Sequence, residues 1–425
     1  MSEMGHTRLD RLICRQEHWK ELTRESLEEL QLCRLNELLA REKRRKGFYR
    51  DLPERLSSLQ ELRTLPFTTP SMLAEHGSRM LLLSQSEILR VISGETSGTS
   101  GQAKRVFYTE RDLCHTVELF EAGIGEMCGL GNRVLIDMPF SGEHGLGNLI
   151  ERAVERTGAL PLRGGGGSWK ERIGRIREGR PDCVIGFPVP LLGTARLCAH
   201  VYGRDDFPIR KALVSGDACP PGVLKCLEEE FSITLFPHYG SREMALAGAI
   251  TCPAHEGMHL RENHILAEIV DAAGNVLPDG EEGELVITTL DMEAMPLLRY
   301  RTGDKTRFLP EPCPCGGVTR RLDRVSRLAK DAFWAEELDD LLFPMKTLVD
   351  YRAAWGRDGL FLAARTLEGH GAEELEGRIG GKYSGFPLHL EVSPCRLEDV
   401  PFYKGKRCVE KILSCVCRRR RTSSI

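Results

Sequence analysis

The sequence predicts a multi-domain α/β protein with a largely parallel sheet, an antiparallel β subdomain and a small α+β domain at its C-terminal end. The length of 425 residues exceeds that of one compact small domain. Between residues 133 and 236, short apolar runs alternate with segments of helical character, which is typical of a parallel sheet. After residue 264, apolar runs flank turn signals instead, which favours antiparallel strands.

The N-terminal region predicts one helix followed by an extended segment. Residues 17–46 carry leucines at helix-like spacings among charged residues, and Gly47 follows their basic end. Pro66 and Pro70 disfavour helix in the residues before them. We therefore expect a helix over 17–46 and extended or turn structure over 63–70.

Apolar runs predict the strands of both sheets. The parallel sheet is expected to contain residues 133–136, 183–187, 211–214 and 233–236. The antiparallel part is expected to contain residues 264–270 and 284–289, because turn signals at Gly274 and Pro278 separate these two runs. Two kinds of sheet are therefore expected in one chain.

These boundaries predict two domains. A large N-terminal domain spans residues 1–327 and includes a β subdomain at about residues 250–320. A small C-terminal domain spans residues 328–425 and ends in a basic tail, where four arginines at 418–421 predict a solvated, disordered segment.

The composition excludes several classes of protein. Lys plus Arg number 59 and Asp plus Glu 62, a formal net charge of −3, so the whole chain has no charge-based reason to bind nucleic acid or an anionic membrane. Hydrophobic residues make up 41% of the chain, which is enough for a sizeable core. The 15 cysteines are an odd number and several lie in apolar or helical runs, which argues against a secreted disulfide framework. Since neither a signal peptide nor an apolar run of about 20 residues is found, we expect a soluble, cytoplasmic protein.

A loop rich in hydroxyl groups and glycines predicts a phosphate-binding site. It follows the apolar run 88–92, and Lys104 comes shortly after it. The loop consists of Thr96, Ser97, Gly98, Thr99, Ser100 and Gly101. Backbone N–H groups, hydroxyl groups and a lysine can together wrap phosphate oxygens. The loop lacks the spacing of a Walker A motif, and a simple polar turn is the alternative interpretation.

Two further segments place ligand-binding residue types after predicted strands. Tyr239 and Glu243 follow the strand at 233–236, and the carboxyl ends of strands are where α/β sheets bind ligands. Tyr239 can stack on a purine, and Glu243 can hold Mg²⁺. Asp304 is expected in a tight turn that suits a ribose diol. Ordinary turns with solvated acidic side chains are the alternative for both segments.

In this order and spacing, the three segments resemble the adenylate-forming superfamily of acyl- and aryl-CoA synthetases, and within it most closely the phenylacetate–CoA ligase family. Residues 96–101 match the family's S-S-G-T-T-G phosphate loop, and residues 239–243 match its Y-G-x-[ST]-E motif with Arg242 at the fourth position. Residues 284–304 match its G-E-L-V-x-T-T-L and P-L-I-R-Y-R-T-G-D motifs. The resemblance covers about residues 30–330.

The resemblance implies the adenylate-forming fold with a C-terminal lid domain. It also implies a reaction in which ATP activates a carboxylic acid as acyl-AMP and coenzyme A then takes the acyl group. Residues 96–101 and Lys104 would hold the phosphates of ATP, Glu243 would bind Mg²⁺, and Tyr239 and Asp304 would hold adenine and ribose. Further nucleotide contacts are implied for Ser215, Gly216, Asp217, Gly240, Ser241 and Arg327.

The family's terminal G-K motif has a counterpart in residues 402–407. The lysine of this motif contacts the acyl carboxylate and the α-phosphate in the family, and Lys406 is the preferred match here, with Lys404 as the alternative. Two departures from the family accompany this match. Gln102 stands where the phosphate loop often carries a lysine, and the hinge pattern R-I-x-G-R-x-D-D is altered at residues 324–331.

Three cysteines and a histidine predict a structural metal site. Cys252 and His255 precede the antiparallel β segment, and Cys313 and Cys315 follow it. Three thiolates and one imidazole form a tetrahedral set suited to Zn²⁺, and some relatives resemble this pattern. His259 is nearby and is interpreted as a hydrogen-bonded residue beside a strand. Free buried cysteines are the alternative to a zinc site.

Two alternatives to the coenzyme A ligase reaction stay open. Relatives such as coenzyme F390 synthetase transfer the adenylyl group to a cofactor, and the altered hinge also allows a catalytically inactive nucleotide-binding scaffold. The partners implied by the resemblance are ATP, coenzyme A and a small acyl or aryl carboxylic acid, with a homodimer by analogy to the family. The sequence does not identify the acid.

Overall fold

The computed structural model describes residues 7–94, 104–217, 219–328, 335–403 and 407–411. Two segments with predicted functions lie outside the described residues. They contain Thr96, Ser97, Gly98, Thr99, Ser100, Gly101, Lys404 and Lys406. The phosphate loop, the C-terminal lysine and the basic tail therefore stay predictions.

Helices and strands alternate along most of the described chain. The helices are α1 (Arg8–Glu17), α2 (Arg24–Arg44), α3 (Pro70–His76), α4 (Glu110–Met127), α5 (Leu146–Arg156), α6 (Trp169–Gly179), α7 (Pro188–Tyr202), α8 (Pro221–Phe231), α9 (Ala335–Leu342) and α10 (Ala372–Lys382). The strands are β1 (Arg90–Gly94), β2 (Lys104–Tyr108), β3 (Arg133–Asp137), β4 (Leu160–Arg163), β5 (Cys183–Gly186), β6 (Lys211–Val214), β7 (Thr234–Tyr239), β8 (Ala249–Thr251), β9 (Met258–Leu260), β10 (Ile265–Val270), β11 (Gly283–Thr289), β12 (Tyr300–Thr306), β13 (Phe308–Leu309), β14 (Arg321–Leu322), β15 (Ser326–Arg327), β16 (Leu348–Gly356), β17 (Gly359–Thr366), β18 (Leu388–Pro394) and β19 (Glu410–Lys411).

The helix predicted over residues 17–46 is confirmed over Arg24–Arg44, and its predicted start is wrong, because a separate helix α1 ends where the prediction begins. α1 ends at Glu17, and His18 after it adopts the left-handed backbone conformation with a φ of 57°. α2 begins after Thr23, whose side chain accepts a hydrogen bond from the amide N–H of Ser26 and caps the helix. Local capping therefore places the start of α2 within the leucine pattern.

Contacts within the chain divide it into two compact units. The first unit comprises Met1–Asn132, Pro139–Pro161 and Phe236–Leu328, and the second unit comprises Arg133–Met138, Leu162–Leu235 and Ala329–Ile425. The chain leaves the first unit for the last time after Leu328, next to the predicted domain boundary. Since the second unit also includes earlier segments, the division into an N-terminal domain and a C-terminal lid stays a prediction.

The second unit contains the predicted parallel sheet. β3 pairs in parallel with β5, and β5 pairs in parallel with β6. Val184 and Ala212 of these strands share one hydrophobic core with Trp169, Leu192 and Val223 of the helices α6, α7 and α8. The prediction of parallel strands at residues 133, 183 and 211 is therefore confirmed, and their apolar runs reflect burial under helices.

The C-terminal residues of the second unit form a further sheet on the same core. β16 pairs antiparallel with β17, and β17 pairs in parallel with β18. Leu348, Leu362 and Leu375 belong to the core that also contains the helices α7 and α8. Apolar burial therefore joins the described residues 335–403 to the parallel strands of this unit.

A buried arginine of α7 connects α8 with the segment between α9 and β16. Arg196 is 3% exposed, and its Nε and Nη2 atoms donate to the carboxylate of Glu230 at 3.0 and 2.6 Å. Its remaining N–H groups donate to the carbonyl groups of Phe343, Met345 and Leu348 at 2.8, 3.0 and 2.7 Å. Every N–H donor of the guanidinium group therefore has an acceptor.

The first unit contains the antiparallel strands. β10 and β11 pair antiparallel, with Ile265 opposite Thr289 and Val270 opposite Glu284, which confirms the predicted hairpin. β12 extends this sheet and pairs with β15. β1 and β2 form an antiparallel pair, and β7, β8, β9, β14 and β13 form another antiparallel set. The strands β2, β7, β12 and β15 carry most of the predicted site residues.

Two further features concern the cysteines and the helices of the described residues. Each cysteine in the described ranges is a free thiol. Over the same ranges, every helix is too short or too polar to span a lipid bilayer.

Replacing Arg196 by lysine is expected to lower the free energy of unfolding by about 1–3 kcal/mol. A lysine has three donors on a single atom and cannot reach Glu230 and three separate carbonyl groups at once. Urea denaturation followed by circular dichroism measures the change. The control is Lys225→Met, which removes a 3.7 Å ion pair at a side chain that is 70% exposed and should change stability by less than about 0.5 kcal/mol. Equal stability of the two variants would contradict the assigned role.

Candidate functional site

Lys104, Glu243 and Tyr300 form a hydrogen-bonded cluster in the first unit. The Lys104 ammonium lies 3.3 Å from Oε1 of Glu243 and 3.0 Å from the Tyr300 hydroxyl. That hydroxyl donates in turn to Oε1 of Glu243 at 3.0 Å. The three side chains come from β2, from the 3-10 turn after β7 and from β12, so the fold brings together residues that are far apart in the sequence.

The cluster keeps Glu243 ionised in a largely buried position. Its side chain is 12% exposed. Burial favours the protonated form, but the positive charge of Lys104 and the hydrogen bonds to the carboxylate outweigh burial and lower the pKa of Glu243 below its ordinary value. Burial and the negative charge of Glu243 raise the pKa of Tyr300, so this hydroxyl stays protonated and continues to donate. At neutral pH the site therefore presents a fixed carboxylate.

A tight turn after β7 places Glu243. The carbonyl of Ser241 accepts the amide N–H groups of Met244 at 3.2 Å and Leu246 at 2.8 Å. Ala245 and Leu246 have φ values of 52° and 56°, in the left-handed region that side-chain-bearing residues rarely adopt. A Cβ atom at Gly240 would lie 2.3 Å from the carbonyl oxygen of Leu246. Glycine is therefore required at the second position of the predicted motif.

Side chains from the neighbouring elements hold this turn in place. The Tyr108 hydroxyl of β2 donates to the carbonyl of Arg242 at 2.6 Å. The Thr116 hydroxyl of α4 donates to the carbonyl of Ala245 at 2.6 Å. The carbonyl groups on both sides of Glu243 are therefore fixed from outside the turn.

Tyr239, Asp304 and Arg327 form a second hydrogen-bonded group of the first unit. The Tyr239 hydroxyl donates to Oδ2 of Asp304 at 2.8 Å, and Nε of Arg327 lies 3.2 Å from Oδ1. Asp304 lies within the strand β12, directly opposite Arg327 of β15, so the predicted tight turn at this residue is wrong. Burial and the negative charge of Asp304 raise the pKa of Tyr239, so its hydroxyl stays protonated. These contacts fix the orientation of an Asp304 carboxylate that is 7% exposed.

The predicted residues Ser215, Gly216 and Asp217 lie in the second unit, at the carboxyl end of β6. The amide of Ser215 donates to the carbonyl of Gly186, the last residue of β5, at 3.1 Å. Gly216 has a φ of 87°, and a Cβ atom there would lie 2.5 Å from the ring of Phe187. The segment therefore occupies the edge of a parallel sheet at which α/β proteins bind ligands.

Three thiols and one imidazole form a separate cluster in the first unit. Single ligand atoms of Cys252, His259, Cys313 and Cys315 lie within 4.8 Å of one another. Nε2 of His259 is 3.3 Å from Sγ of Cys315, and the sulfur atoms of Cys252 and Cys313 are 3.6 Å apart. Nδ1 of His259 lies 3.1 Å from the carbonyl oxygen of Thr319. Because a carbonyl only accepts, Nδ1 carries the proton, and the lone pair of Nε2 faces the sulfur.

Burial sets the protonation of this thiol–imidazole cluster. It lowers the pKa of His259 to about 4, so the imidazole is neutral at physiological pH, which is the form that binds a metal. Burial also raises the pKa of Cys252 and Cys315. Their thiols are therefore protonated unless a cation stabilises the thiolates.

The structure corrects the predicted histidine of this cluster, since His259 rather than His255 lies with the sulfur atoms. The amide of His255 donates to the carbonyl of Cys252 at 3.0 Å and closes a turn with a φ of 56°. Its ring packs on Phe236 with ring centroids 4.7 Å apart. His259 lies in β9, opposite Arg321 of β14. Strand pairing therefore brings in the histidine that the short Cys-x-x-His spacing does not indicate.

Tyr300 is a site residue that the sequence analysis does not identify, although a signal for it exists. β12 buries Tyr300, Thr302, Asp304 and Thr306 and leaves the residues between them partly exposed. Side chains two residues apart share one face of a strand. Because Asp304 is a predicted site residue, Tyr300 on the same face of the strand could be predicted as a site residue too.

Comparisons with known proteins identify relatives of this chain. Residues 96–292 match the family model described as AMP-binding enzyme. The phenylacetate-coenzyme A ligase of Pseudomonas putida is 30% identical over 285 residues, which cover 65% of this chain and 62% of that protein. The phenylacetate-coenzyme A ligase of Thermus thermophilus is 29% identical over 317 residues, which cover 71% of this chain and 70% of that protein. The chain thus spans less than two thirds of the length of the Pseudomonas relative.

A comparison with solved structures supports the predicted fold. The crystal structure of 2-hydroxyisobutyryl-CoA ligase in the postadenylation state, in complex with 2-HIB-AMP, has a TM-score of 0.74 with this chain. The alignment covers 92% of this chain and 90% of that chain at 19% sequence identity. The prediction of the adenylate-forming fold is therefore confirmed.

Proposed function

Because this chain belongs to the phenylacetate–CoA ligase family of adenylate-forming enzymes, we propose that it activates a carboxylic acid with ATP and transfers the acyl group to coenzyme A. The proposal rests on one observation above all. The first unit holds two oriented acidic side chains, Glu243 beside Lys104 and Asp304 beside Tyr239. Glu243 and Lys104 suit the phosphates of ATP and their cation. Asp304 and Tyr239 suit the nucleoside of ATP.

The proposed reaction has two steps. In the first step, an oxygen of the acid attacks the α-phosphorus of ATP, and the bond from that phosphorus to pyrophosphate breaks, which gives acyl-AMP. In the second step, the thiol of coenzyme A loses its proton and attacks the acyl carbonyl, and the bond to AMP breaks. Since the first step gathers negative charge on the phosphates, its rate depends chiefly on positioning and electrostatic stabilisation.

Glu243 is proposed to bind the Mg²⁺ that accompanies ATP. Mg²⁺ usually combines one or two carboxylates with substrate phosphates and water, and Glu243 is a nearly buried carboxylate with a lowered pKa. When bound, the ion neutralises charge on the phosphates. Lys104 keeps Glu243 anionic, and its 22% exposed side chain is suited to pairing with a phosphate oxygen.

Asp304 and Tyr239 are proposed to hold the nucleoside. The hydroxyl groups of a ribose diol donate hydrogen bonds, and Asp304 is an acceptor whose orientation is fixed by Tyr239 and Arg327. An aromatic ring next to a ribose site can stack on a purine base. Ser215, Gly216 and Asp217 are proposed to supply nucleotide contacts in the second unit.

The proposed ligase differs from its alternatives in the molecule that accepts the activated group and in whether an acid is activated at all. A chain that transfers the adenylyl group to another cofactor would join AMP to that cofactor, release pyrophosphate and form no thioester with coenzyme A. An inactive scaffold would bind ATP without turnover. Phenylacetate is the first acid to test, because the relatives in Pseudomonas putida and Thermus thermophilus carry its name. A homodimer and a cytoplasmic location stay predictions.

The thiol–imidazole cluster is proposed to bind a structural Zn²⁺. Cys252, His259, Cys313 and Cys315 form a closed Cys₃His set, in which no position is left for a substrate. The amide of Gly317 donates to Sγ of Cys315 at 3.3 Å, a contact that stabilises a thiolate. When bound, the ion would hold the segment around residue 313 to β9 and would take no part in the reaction.

Replacing Glu243 by glutamine is expected to reduce acid-dependent ATP–pyrophosphate exchange by about 10²–10³-fold. Glutamine keeps the size of the side chain but removes the negative charge that the cation requires. The control is Glu262→Gln, which neutralises another buried carboxylate of the first unit, one paired with Arg24 at 2.5 Å. Exchange that survives in Glu243→Gln would refute the assigned role.

The same assay separates the candidate reactions. Exchange with a given acid, followed by coenzyme A-dependent AMP release, is expected for the proposed ligase. Exchange without any effect of coenzyme A would favour another acceptor. ATP binding without exchange for any aryl or short-chain acid would favour the scaffold.

Replacing Lys104 by methionine is expected to move the acid limb of the pH–rate profile to higher pH. The pKa of Glu243 is lowered in the folded protein, so its carboxylate form is lost only as the pH falls through that lowered value. Without the ammonium charge, burial dominates and the pKa of Glu243 rises. The pH dependence of kcat/KM for ATP measures the change.

A matched control for this prediction is Lys305→Met. Lys305 also lies in β12, the strand of Tyr300, but its ammonium pairs with the exposed Glu282 at 2.5 Å. Its profile should stay that of the wild type. Identical acid limbs in the wild type and in Lys104→Met would contradict the electrostatic role of Lys104.

Purified protein is expected to contain about one zinc ion per chain by mass spectrometry of its metal content. His259→Ala should lose this zinc and lower the melting temperature, because the closed site loses one of four ligands. His255→Ala should retain the zinc. Equal zinc content of the two variants, or wild-type protein that contains none when zinc is supplied during expression, would refute the site.

A further inference from the structure

A buried pair of stacked histidines lies beside the turn that carries Glu243. His264 directly precedes β10 and is 0% exposed, and His115 of α4 is 3% exposed. Their ring centroids are 4.1 Å apart, and the ring planes are inclined by 35°. Nε2 of His264 lies 3.3 Å from the carbonyl oxygen of Met244, the residue after Glu243. One of the two rings therefore contacts the backbone next to the candidate site.

The surroundings of His264 determine where its proton lies. A carbonyl oxygen only accepts, so Nε2 carries the proton and donates it to Met244 in a hydrogen bond. Burial and neighbouring positive charges, Arg261 among them, hold the pKa of His264 well below its ordinary value, so the ring is neutral at physiological pH. Nδ1 therefore keeps its lone pair, and this atom has no hydrogen-bond partner among the described residues.

The unpartnered Nδ1 atom of His264 is unfavourable for stability. A buried acceptor of this kind gives up its hydrogen bonds to water and receives none in return. An apolar side chain at this position avoids that cost, whereas the imidazole adds one N–H donor that is used. Through its contact with Met244, the imidazole therefore contributes what an apolar side chain cannot.

The backbone of His264 is fixed on both sides. Its amide donates to the carbonyl of Arg261 at 3.0 Å, and its carbonyl accepts the amide N–H of Leu290 at 2.8 Å. The carbonyl oxygen of the next residue, Asp291, lies 2.9 Å from Nε2 of His115. The two histidines are thus held to consecutive residues of one segment. His264 therefore reaches the turn from a fixed position.

The contact of His264 is one of three that hold the turn around Glu243. Tyr108 and Thr116 donate to two other carbonyl groups of this turn, each at 2.6 Å. The three donors come from β2, from α4 and from the residue before β10. Because they lie on separate elements, the backbone of the turn cannot rotate without breaking a contact to one of them. The direction of the Glu243 side chain is fixed in the same way.

We propose that His264 is a positioning residue, which fixes the peptide group of Met244 and so holds the carboxylate of Glu243 in the direction that the cation of ATP requires. This inference rests on the proposed function. In this assignment His264 touches neither ATP nor the acid and acts through the backbone of the turn alone. A side chain without an N–H donor at the position of Nε2 leaves the left-handed turn with one contact fewer.

Three variants separate the donor of His264 from the bulk of its side chain. His264→Leu and His264→Phe both remove the donor, and phenylalanine keeps a ring against His115. His264→Gln places an amide N–H group at about the reach of Nε2 and so keeps the donor. All variants are compared at a temperature at which urea titration shows them to be folded.

Asn36→Leu is the matched control for a purely structural loss. Asn36 lies in α2 of the same unit, donates to the carbonyl of Leu56 at 3.1 Å and accepts the amide N–H of Leu56 at 2.7 Å. Its side chain therefore also holds a backbone segment by hydrogen bonds, but neither bond involves the turn of Glu243.

The first readout needs no activity. The amide groups of Met244 and Leu246 donate to the carbonyl of Ser241 within the turn, and they lose protection when the turn opens. Hydrogen exchange of a peptide that covers residues 239–247 is therefore expected to become faster in His264→Leu and His264→Phe. Wild-type rates are expected in His264→Gln and Asn36→Leu. Unchanged exchange in the variants that lack the donor would overturn the anchor.

The second readout is acid-dependent ATP–pyrophosphate exchange at varied Mg²⁺ concentration. His264→Leu and His264→Phe are expected to lower kcat and to raise the Mg²⁺ concentration that gives half of the maximal rate, each by about 10-fold, because a metal ligand that is poorly oriented binds and acts less well. His264→Gln should recover both values. Asn36→Leu should keep both values of the wild type.

The outcomes distinguish the positioning role from the proposed function. Faster hydrogen exchange with wild-type kcat and wild-type Mg²⁺ dependence would overturn the positioning role. An equal loss of activity in Asn36→Leu, or no recovery in His264→Gln, would overturn it as well. A wild-type protein without pyrophosphate exchange for any acid would instead refute the proposed function, and the role of His264 would fall with it.

Discussion

The ionised and nearly buried carboxylate of Glu243 is the constraint on which the candidate site depends. An unpaired carboxylate costs several kcal/mol when it leaves water, and Lys104 and Tyr300 offset this cost. These partners come from β2 and β12, so the first unit must bring three distant stretches of the chain to one point. The left-handed backbone of Ala245 and Leu246 follows from the same constraint, because a turn that aims Glu243 between two strands has little conformational choice.

Buried arginines have the corresponding role in the second unit. Arg196 and Arg407 each connect acceptors on separate segments, which a lysine or an apolar residue cannot do because only a guanidinium presents a planar array of donors. Apolar burial supplies most of the free energy that holds these segments together. It is not directional, however, and the buried arginines determine the register in which the segments pack. This division explains how a unit assembled from three stretches of chain keeps Asp217 at a defined distance from Arg407.

The sequence predicts strands and turns that leave a short pattern in neighbouring residues. It does not predict features that depend on which distant strands pair. The apolar runs of β3, β5 and β6 and the turn between β10 and β11 are visible in the sequence, because burial and turn chemistry leave short patterns. The start of α2 is not, because the leucine pattern begins before Thr23, the residue whose side chain caps the helix. His259 is not predicted as a metal ligand because Cys-x-x-His spacing favours His255, and only the pairing of β9 with β14 selects between the two. Predicting Tyr300 as a site residue requires two things together: the two-residue period of a strand and the earlier identification of Asp304.

The two carboxylates of the candidate site differ in how they can respond to a ligand. The cationic partner of Glu243 is an ammonium on a flexible side chain that is 22% exposed, so in the proposed site it would be free to pair with a phosphate oxygen if a metal ion bound Glu243. The partners of Asp304 are a phenol on β7 and an arginine directly opposite it in the β12–β15 pair, and both are held by the sheet. Glu243 is therefore suited to a ligand that brings positive charge and replaces a partner. Asp304 is suited to neutral hydroxyl donors, whose binding requires no exchange of charge and gains from an acceptor that is already oriented.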